Sequence, residues 1–173
     1  VEDIFVQLEW LGIEYDSGPS GPDELFKQYS QQLRRERYSA TLEFLHNSGI
    51  LYACECSRSE IRKLSPVGNY PGTCRLKELD LMQDNLPWRV QVPEQTYVKF
   101  KTFTDKVEKI NVDQVMGDFV IKRRDGLPAY QLASVMDDLE LGVNLVVRGE
   151  DLRASTAAQL FLSQCLNDQV FPA

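Results

Sequence analysis

The sequence predicts a mixed α/β fold with a cysteine-bearing insert in the middle of the chain. Apolar residues repeat at helical spacing near both ends, short β-type runs lie between them, and three of the four cysteines fall between residues 54 and 74. The final alternation of helix and apolar strand is typical of a parallel sheet. We therefore divide the chain into a helical part of the main domain (1–51), the insert (52–115) and the second half of the main domain (116–173).

Composition sets limits on the class of protein. The chain has 173 residues, of which 43% are hydrophobic and 26% charged, enough for a packed core. The net charge of −7 argues against nonspecific coating by nucleic acid but allows a local basic patch. No apolar run approaches the ~20 residues of a membrane span, and no signal peptide is visible. We expect a cytoplasmic protein with reduced thiols and no membrane partner.

The chain starts without Met in a helical pattern that ends at Gly12, so we expect it to be a fragment of a longer protein. After a turn-rich loop, Asp23 is the predicted cap of a long helix reaching about Asn47. The predicted apolar face of that helix comprises Phe26, Tyr29, Leu33, Ala40 and Phe44. The opposite face carries Arg34, Arg35 and Arg37, either as a solvated surface or as phosphate contacts.

Short elements are predicted in the insert. Residues 50–53 favour a strand, and the pair Ser57 and Glu60 forms a capping box that predicts a helix from residue 58. Strands are predicted at 89–92 and 96–103. The second strand places alternate residues on one face, namely Tyr97, Lys99, Lys101 and Phe103.

The last third of the chain has the clearest periodicity. A strand at 118–124 ends in the turn signal Asp125-Gly126, and a helix is predicted at 132–141. The apolar run 143–147 predicts a strand buried on both faces. A closing helix is predicted at 156–166, with Ser155 as its cap.

Cys54, Cys56 and Cys74 indicate a metal site, because thiolates suit Zn²⁺ and three of them leave one tetrahedral position open. His46 is the commoner type of fourth ligand, whereas Tyr70 is tethered close to Cys74. From the residues alone both stay open, as do unligated packed thiols and a disulfide through Cys74. Cys165, far along the chain, is expected in the core.

Residues 117–133, with Val135-Met136-Asp137-Asp138 and the stretch from Val147 to Thr156, resemble the glutamyl-tRNA synthetase family of class I synthetases. The resemblance implies a Rossmann-like catalytic domain. The cysteine segment, ending in Tyr70-Pro71-Gly72-Thr73-Cys74-Arg75, is similar to the zinc site of the truncated glutamyl-queuosine tRNA(Asp) synthetases. That similarity implies a structural zinc held by Cys54, Cys56, Tyr70 and Cys74.

The resemblance also implies a ligase reaction. Glutamate is activated by ATP with Mg²⁺ and transferred to queuosine in the anticodon of tRNA(Asp). Tyr130 and Arg148 match the family's glutamate-binding positions. A guanidinium can bind a carboxylate through two parallel hydrogen bonds, and Arg148 follows the predicted strand at its carboxyl end, where ligands of open α/β sheets bind.

No residue of the chain is expected to act as a catalytic nucleophile. The family's two ATP-binding signatures are expected before residue 1 and after residue 173, so we expect the fragment alone to be inactive and the intact protein to be a monomer. Two alternatives are a fragment of an ordinary glutamyl-tRNA synthetase and a nonenzymatic, zinc-stapled RNA-binding module.

Overall fold

The computed structural model describes residues 1–65 and 69–166, and the chain divides into two compact units, Val1–Ser39 and Ala40–Ala173. The α-helices are α1 (Glu2–Trp10), α2 (Pro22–Glu24), α3 (Arg35–Asn47), α4 (Arg58–Leu64), α5 (Val112–Val115), α6 (Tyr130–Glu140) and α7 (Arg153–Cys165). The strands are β1 (Leu51–Ala53), β2 (Trp88–Val90), β3 (Tyr97–Lys101), β4 (Val107–Asn111) and β5 (Val120–Lys122).

The long helix predicted over 23–47 is broken into several pieces. α2 starts with Pro22 at its first position rather than from an Asp23 cap, and a π-helix (Leu25–Tyr29) follows it. At Ser30 the backbone is extended (φ −61°, ψ 132°), and the Ser30 hydroxyl accepts a hydrogen bond from the backbone N–H of Gln32 at 3.3 Å. Serine competes for backbone donors in this way, which favours a new helix start over continuation.

The face that α3 buries also differs from the predicted one. Phe44 is 45% exposed, whereas Tyr38 and Leu45 are buried. The choice of buried face depends on tertiary neighbours, which a helical period alone does not identify.

The central sheet of the second unit joins the insert to the rest of the fold. Its strand order is β1-β2-β5 and both pairs are antiparallel, with Tyr52 opposite Arg89 and Arg89 opposite Val120. Strands β3 and β4 form a separate antiparallel hairpin in which Lys99 pairs with Lys109. The predicted sharing of one face by alternate residues of β3 is confirmed, because Tyr97 and the two lysines of that strand are exposed while Val98 is buried.

Helices α6 and α7 pack against each other and cover one side of the core. Gln131 of α6 donates a hydrogen bond from Nε2 to the Ser155 hydroxyl of α7 at 3.0 Å. The core side chains buried there include Leu132, Val135, Ala157, Ala158, Phe161 and Leu162, together with residues of the sheet such as Val90 and Ile121.

The strand predicted at 143–147 is wrong. Residues 143–149 carry no regular structure, and Leu145, Val146 and Val147 are 59%, 42% and 90% exposed. A strand buried on both faces needs paired neighbours and covering layers, whereas an apolar run records only hydrophobicity. The predicted parallel sheet is also wrong for the described part of the chain, in which each pair of named strands is antiparallel. Among those residues, no helix is long and apolar enough to cross a membrane.

Candidate functional site

Three cysteines of the insert converge although they come from different local structures. Cys54 directly follows β1, Cys56 precedes α4, and Cys74 lies in a turn that follows Gly72. Their Sγ atoms all lie within 4.8 Å of one another. The predicted capping box beside Cys56 is present, with the Ser57 hydroxyl accepting from the Glu60 N–H and the Glu60 carboxylate accepting from the Ser57 N–H at 2.7 Å. This cap fixes the direction in which the chain leaves Cys56.

The hydroxyl of Tyr70 lies among the three thiols. It is 3.4 Å from the Cys56 Sγ and accepts a hydrogen bond from the backbone N–H of Cys74 at 3.0 Å. Tyr70 is 3% exposed. Its backbone forms a bridge to Gly117, where φ is +61° and a Cβ would come within 2.5 Å of the Tyr70 carbonyl oxygen, so only glycine permits this approach. His46, the other candidate ligand, packs its ring against Trp88 with 5.9 Å between ring centroids.

The cluster fits a tetrahedral thiolate site. Zinc–sulfur bonds of about 2.3 Å put two ligand sulfurs about 3.8 Å apart, and the Cys56 and Cys74 Sγ atoms are 3.5 Å apart. Cys54 and Cys74 are buried, and a cation would balance the charge of thiolates at these positions. The described residues therefore include a group of three cysteines, two of them buried and Cys56 half-buried, that could hold a metal ion.

The pKa values of Cys56, Tyr70 and Cys74 are shifted in different directions. Burial raises the pKa of Cys56. Burial and hydrogen bonds to the three thiols raise the pKa of Tyr70 well above its ordinary value. Burial also acts to raise the pKa of Cys74, but hydrogen bonds from Tyr70 and from the backbone of Glu55, with those from the other thiols, outweigh it and the net pKa is lowered. Of Cys56, Tyr70 and Cys74, it is therefore Cys74 that ionises most readily.

A buried polar network, absent from the sequence-based predictions, supports the cluster. The Arg89 guanidinium lies 3.9 Å above the Tyr70 ring and donates from Nη1 to the Asp118 carbonyl at 2.7 Å. The Asp118 carboxylate accepts hydrogen bonds from Arg75 and from the Tyr52 hydroxyl. The signals available in the sequence were the charged residue Arg75 directly after Cys74, and the aspartate Asp118 at the start of a predicted strand.

Arg148 lines a cleft of about 530 Å³ between the hairpin and the start of α7. The other charged residues of its wall are Lys101, Glu108, Glu150 and Arg153. Arg148 donates from Nη1 to the Oε1 of Gln159, which is 5% exposed, at 2.8 Å. Burial raises the pKa of the nearby Asp138, and the positive charge of Arg148 acts in the opposite direction.

Tyr130 is the first residue of α6 and is 55% exposed. It does not belong to the walls of the two described clefts that Arg148 lines. Tyr130 begins α6, and Arg148 is bonded to Gln159 of α7, the helix that Gln131 joins to α6 through Ser155. Among the described contacts, none joins Tyr130 to Arg148. Their joint role stays a prediction.

Comparison with known proteins agrees with the observed architecture. The family profile described as "tRNA synthetases class I (E and Q), catalytic domain" matches residues 1–172. The glutamyl-Q tRNA(Asp) synthetase of Pseudomonas syringae pv. syringae (strain B728a) is 40% identical over 166 residues, which is 94% of this chain and 50% of that protein. The protein of the same name from Pseudomonas putida (strain F1) is 42% identical over the same length. The chain thus spans about half the length of the curated relatives it matches.

Solved structures show the same fold at lower identity. A glutamate tRNA ligase from Elizabethkingia meningosepticum, solved with its amino acid, superimposes with a TM-score of 0.72 at 22% identity, covering 98% of this chain and 37% of that one. Glutamate-tRNA synthetase from Elizabethkingia anophelis gives a TM-score of 0.74 at 22% identity with the same coverage. The chain belongs to the catalytic-domain family of class I tRNA synthetases for glutamate and glutamine.

Proposed function

We propose that the chain is part of a ligase that activates glutamate with ATP and transfers it to queuosine in the anticodon of tRNA(Asp). The observation that carries this proposal is the 39–42% identity, over 94% of the chain, to proteins named for that activity. The three-cysteine cluster with Tyr70 at its centre supports the same assignment. A tRNA acceptor makes the cytoplasm the expected compartment.

In the proposed reaction, a carboxylate oxygen of glutamate attacks the α-phosphate of ATP and pyrophosphate leaves. A queuosine hydroxyl then attacks the activated carbonyl and AMP leaves. Mg²⁺ would accompany ATP. We assign to Arg148 the binding of a glutamate carboxylate through its guanidinium, with Gln159 holding the arginine in place. Tyr130 would contribute a hydroxyl to the same amino acid.

For the cysteine cluster we propose a structural zinc ion with Cys54, Cys56, Tyr70 and Cys74 as ligands. Four protein ligands leave no open position, so the ion would stabilise the insert and take no part in the chemistry. The Arg89 guanidinium over the Tyr70 ring supports this assignment, because a neighbouring cation favours the ionised phenol that a metal needs.

The test uses the full-length protein. We expect ATP–pyrophosphate exchange that depends on glutamate, followed by transfer of labelled glutamate to tRNA(Asp) carrying queuosine but not to tRNA(Asp) that lacks it. Glutamylation of tRNA(Glu) instead would identify an ordinary glutamyl-tRNA synthetase. Absence of glutamate-dependent exchange, with intact RNA binding, would favour a nonenzymatic RNA-binding module.

A further inference from the structure

A second cleft, of about 470 Å³, lies directly beside the cysteine cluster. Its wall contains four arginines and one carboxylate: Arg58, Arg89, Arg123, Arg124 and Asp125. The chain as a whole carries a net charge of −7, so this cleft is locally positive in an acidic chain. A local excess of guanidinium groups in a concave surface raises the concentration of anions there.

Arg89 provides the strongest evidence that the cleft is built for an anion. The residue is only 7% exposed, and its Nε has no hydrogen-bond partner within the described ranges 1–65 and 69–166. The same guanidinium is held in place by the Asp118 carbonyl and by the Tyr70 ring. A buried, unpaired N–H is costly, and Arg89 lines the cleft, so its positive charge favours an anionic acceptor there.

The other arginines are placed at the exposed part of the wall. Arg124 donates from Nη2 to the carbonyl oxygens of Glu55 at 3.2 Å and Cys56 at 3.4 Å, so the cysteine loop orients its guanidinium. Arg58 is exposed at the first position of α4. Arg123 pairs at 2.6 Å with Asp125, the one carboxylate among the described residues of the wall.

The chemistry of this wall suits a phosphate group. Guanidinium groups match phosphate oxygens through paired N–H donors. Most hydrogen bonds between proteins and nucleic acids go to phosphate and sugar oxygens, and arginine is one of their main donors. The cleft is therefore suited to contact a phosphate backbone independently of sequence.

We propose that this arginine cleft binds a backbone phosphate of an RNA strand. With the synthetase assignment, on which the identity of the RNA rests, that strand belongs to the tRNA. In this arrangement the three-cysteine cluster helps to position the arginine cleft, because the loop that holds Cys56 also carries the carbonyls that orient Arg124.

The test measures binding of full-length protein to a tRNA(Asp) transcript across a range of salt concentrations. Arg58→Gln and Arg124→Gln should each weaken binding about three- to tenfold near 0.1 M salt and reduce the slope of log K against log salt concentration by about 1. Arg124→Lys, which keeps the charge, should retain most of the affinity. Lys106→Gln removes the same charge from the exposed turn of the hairpin and serves as the matched control.

Two results would overturn the proposal. The first is tRNA binding and a salt slope that are unchanged in Arg58→Gln and Arg124→Gln relative to Lys106→Gln. The second is a raised KM for ATP with unchanged tRNA affinity, which would assign the cleft to nucleotide phosphates. Each variant should contain as much zinc as the parent protein, so that a loss of tRNA binding reports the missing arginine and supports the proposal. Glutamate-dependent exchange tests the proposed function separately, because it requires no RNA.

Discussion

The guanidinium of Arg75 forms two hydrogen bonds with the carboxylate of Asp118, from Nε to Oδ2 at 2.6 Å and from Nη2 to Oδ1 at 2.5 Å. The Asp118 side chain is fully buried and also accepts from the backbone N–H of Val92 at 2.8 Å. Arg75 follows Cys74, and Asp118 precedes β5. This ion pair therefore joins the cysteine segment to the central sheet, and Arg75 keeps a raised pKa because of its hydrogen bonds to Asp118.

Asp118→Asn should lower the free energy of unfolding of the full-length protein by about 3 kcal/mol. The substitution leaves the Arg75 guanidinium, only 25% exposed in its side chain, without the charge that compensates it. Urea denaturation measures the change. The exposed pair of Lys101 and Asp105, 3.0 Å apart, provides the control, and Asp105→Asn should cost less than about 0.5 kcal/mol. Equal changes in the free energy of unfolding would show that the buried pair stabilises the fold no more than the exposed pair does.

The purified protein should contain about one zinc ion per chain. Cys74→Ser should abolish it, because a hydroxyl is a poor substitute for a thiolate ligand. Cys165→Ser is the matched control and should keep the metal, since Cys165 ends α7 away from the cluster and burial raises its thiol pKa to about 11. Elemental analysis after dialysis gives the stoichiometry. A fully folded parent protein without metal would contradict the ligand set.

Metal affinity should rise with pH between about 6 and 9, and binding should release protons. Metal ligands bind in their deprotonated form, and the raised pKa values of Tyr70 and Cys56 keep both groups protonated near neutral pH in the metal-free protein. Titration calorimetry in two buffers of different ionisation enthalpy counts the protons. Tyr70→Phe should release about one proton fewer, and an unchanged count would remove Tyr70 from the ligand set.

The stability of the metal-free protein should fall as pH rises, whereas its metal affinity increases. A group whose pKa is raised by folding stabilises the folded state below its unfolded pKa, and this contribution is lost as pH rises through the folded value. For Cys56, the loss should begin above the ordinary thiol pKa of about 8.5. Thermal unfolding at pH 7 and 9 compares the pH dependence of stability in the metal-free and the metal-loaded protein. A metal-free protein that becomes more stable at pH 9 would show that the lowered pKa of Cys74 dominates instead.

Features that depend on a few neighbouring residues could be predicted from the sequence. The capping box at Ser57 and the turn at Gly126 involve hydrogen bonds across three residues, and both are present. The convergence of three cysteines was also predictable, because they lie within the 21 positions from 54 to 74 and their side chains share one chemistry.

Features that depend on distant residues were missed or predicted wrongly. Arg75 and Asp118 are 43 positions apart, and no local pattern identifies either as the other's partner. Strand β4 was not predicted, and its mixed sequence is understandable only from its pairing with β3. The apolar run from 143 to 147 was predicted as a strand, yet Leu145, Val146 and Val147 are exposed, since a buried strand requires partners that the described residues do not provide.

Arg148→Ala in the full-length protein should raise the KM for glutamate at least about tenfold, since a charge-assisted hydrogen bond to the substrate contributes roughly 1.5–3 kcal/mol. Gln159→Ala should raise it less, because that variant leaves the guanidinium in place but removes the 2.8 Å hydrogen bond that orients it. ATP–pyrophosphate exchange at varied glutamate concentration separates KM from kcat, and the KM for ATP should stay unchanged. Arg153→Ala is the control, because Arg153 lines the same cleft and already pairs with Glu108 at 2.5 Å. A glutamate KM that rises in Arg153→Ala and not in Arg148→Ala would move the carboxylate site from one arginine to the other.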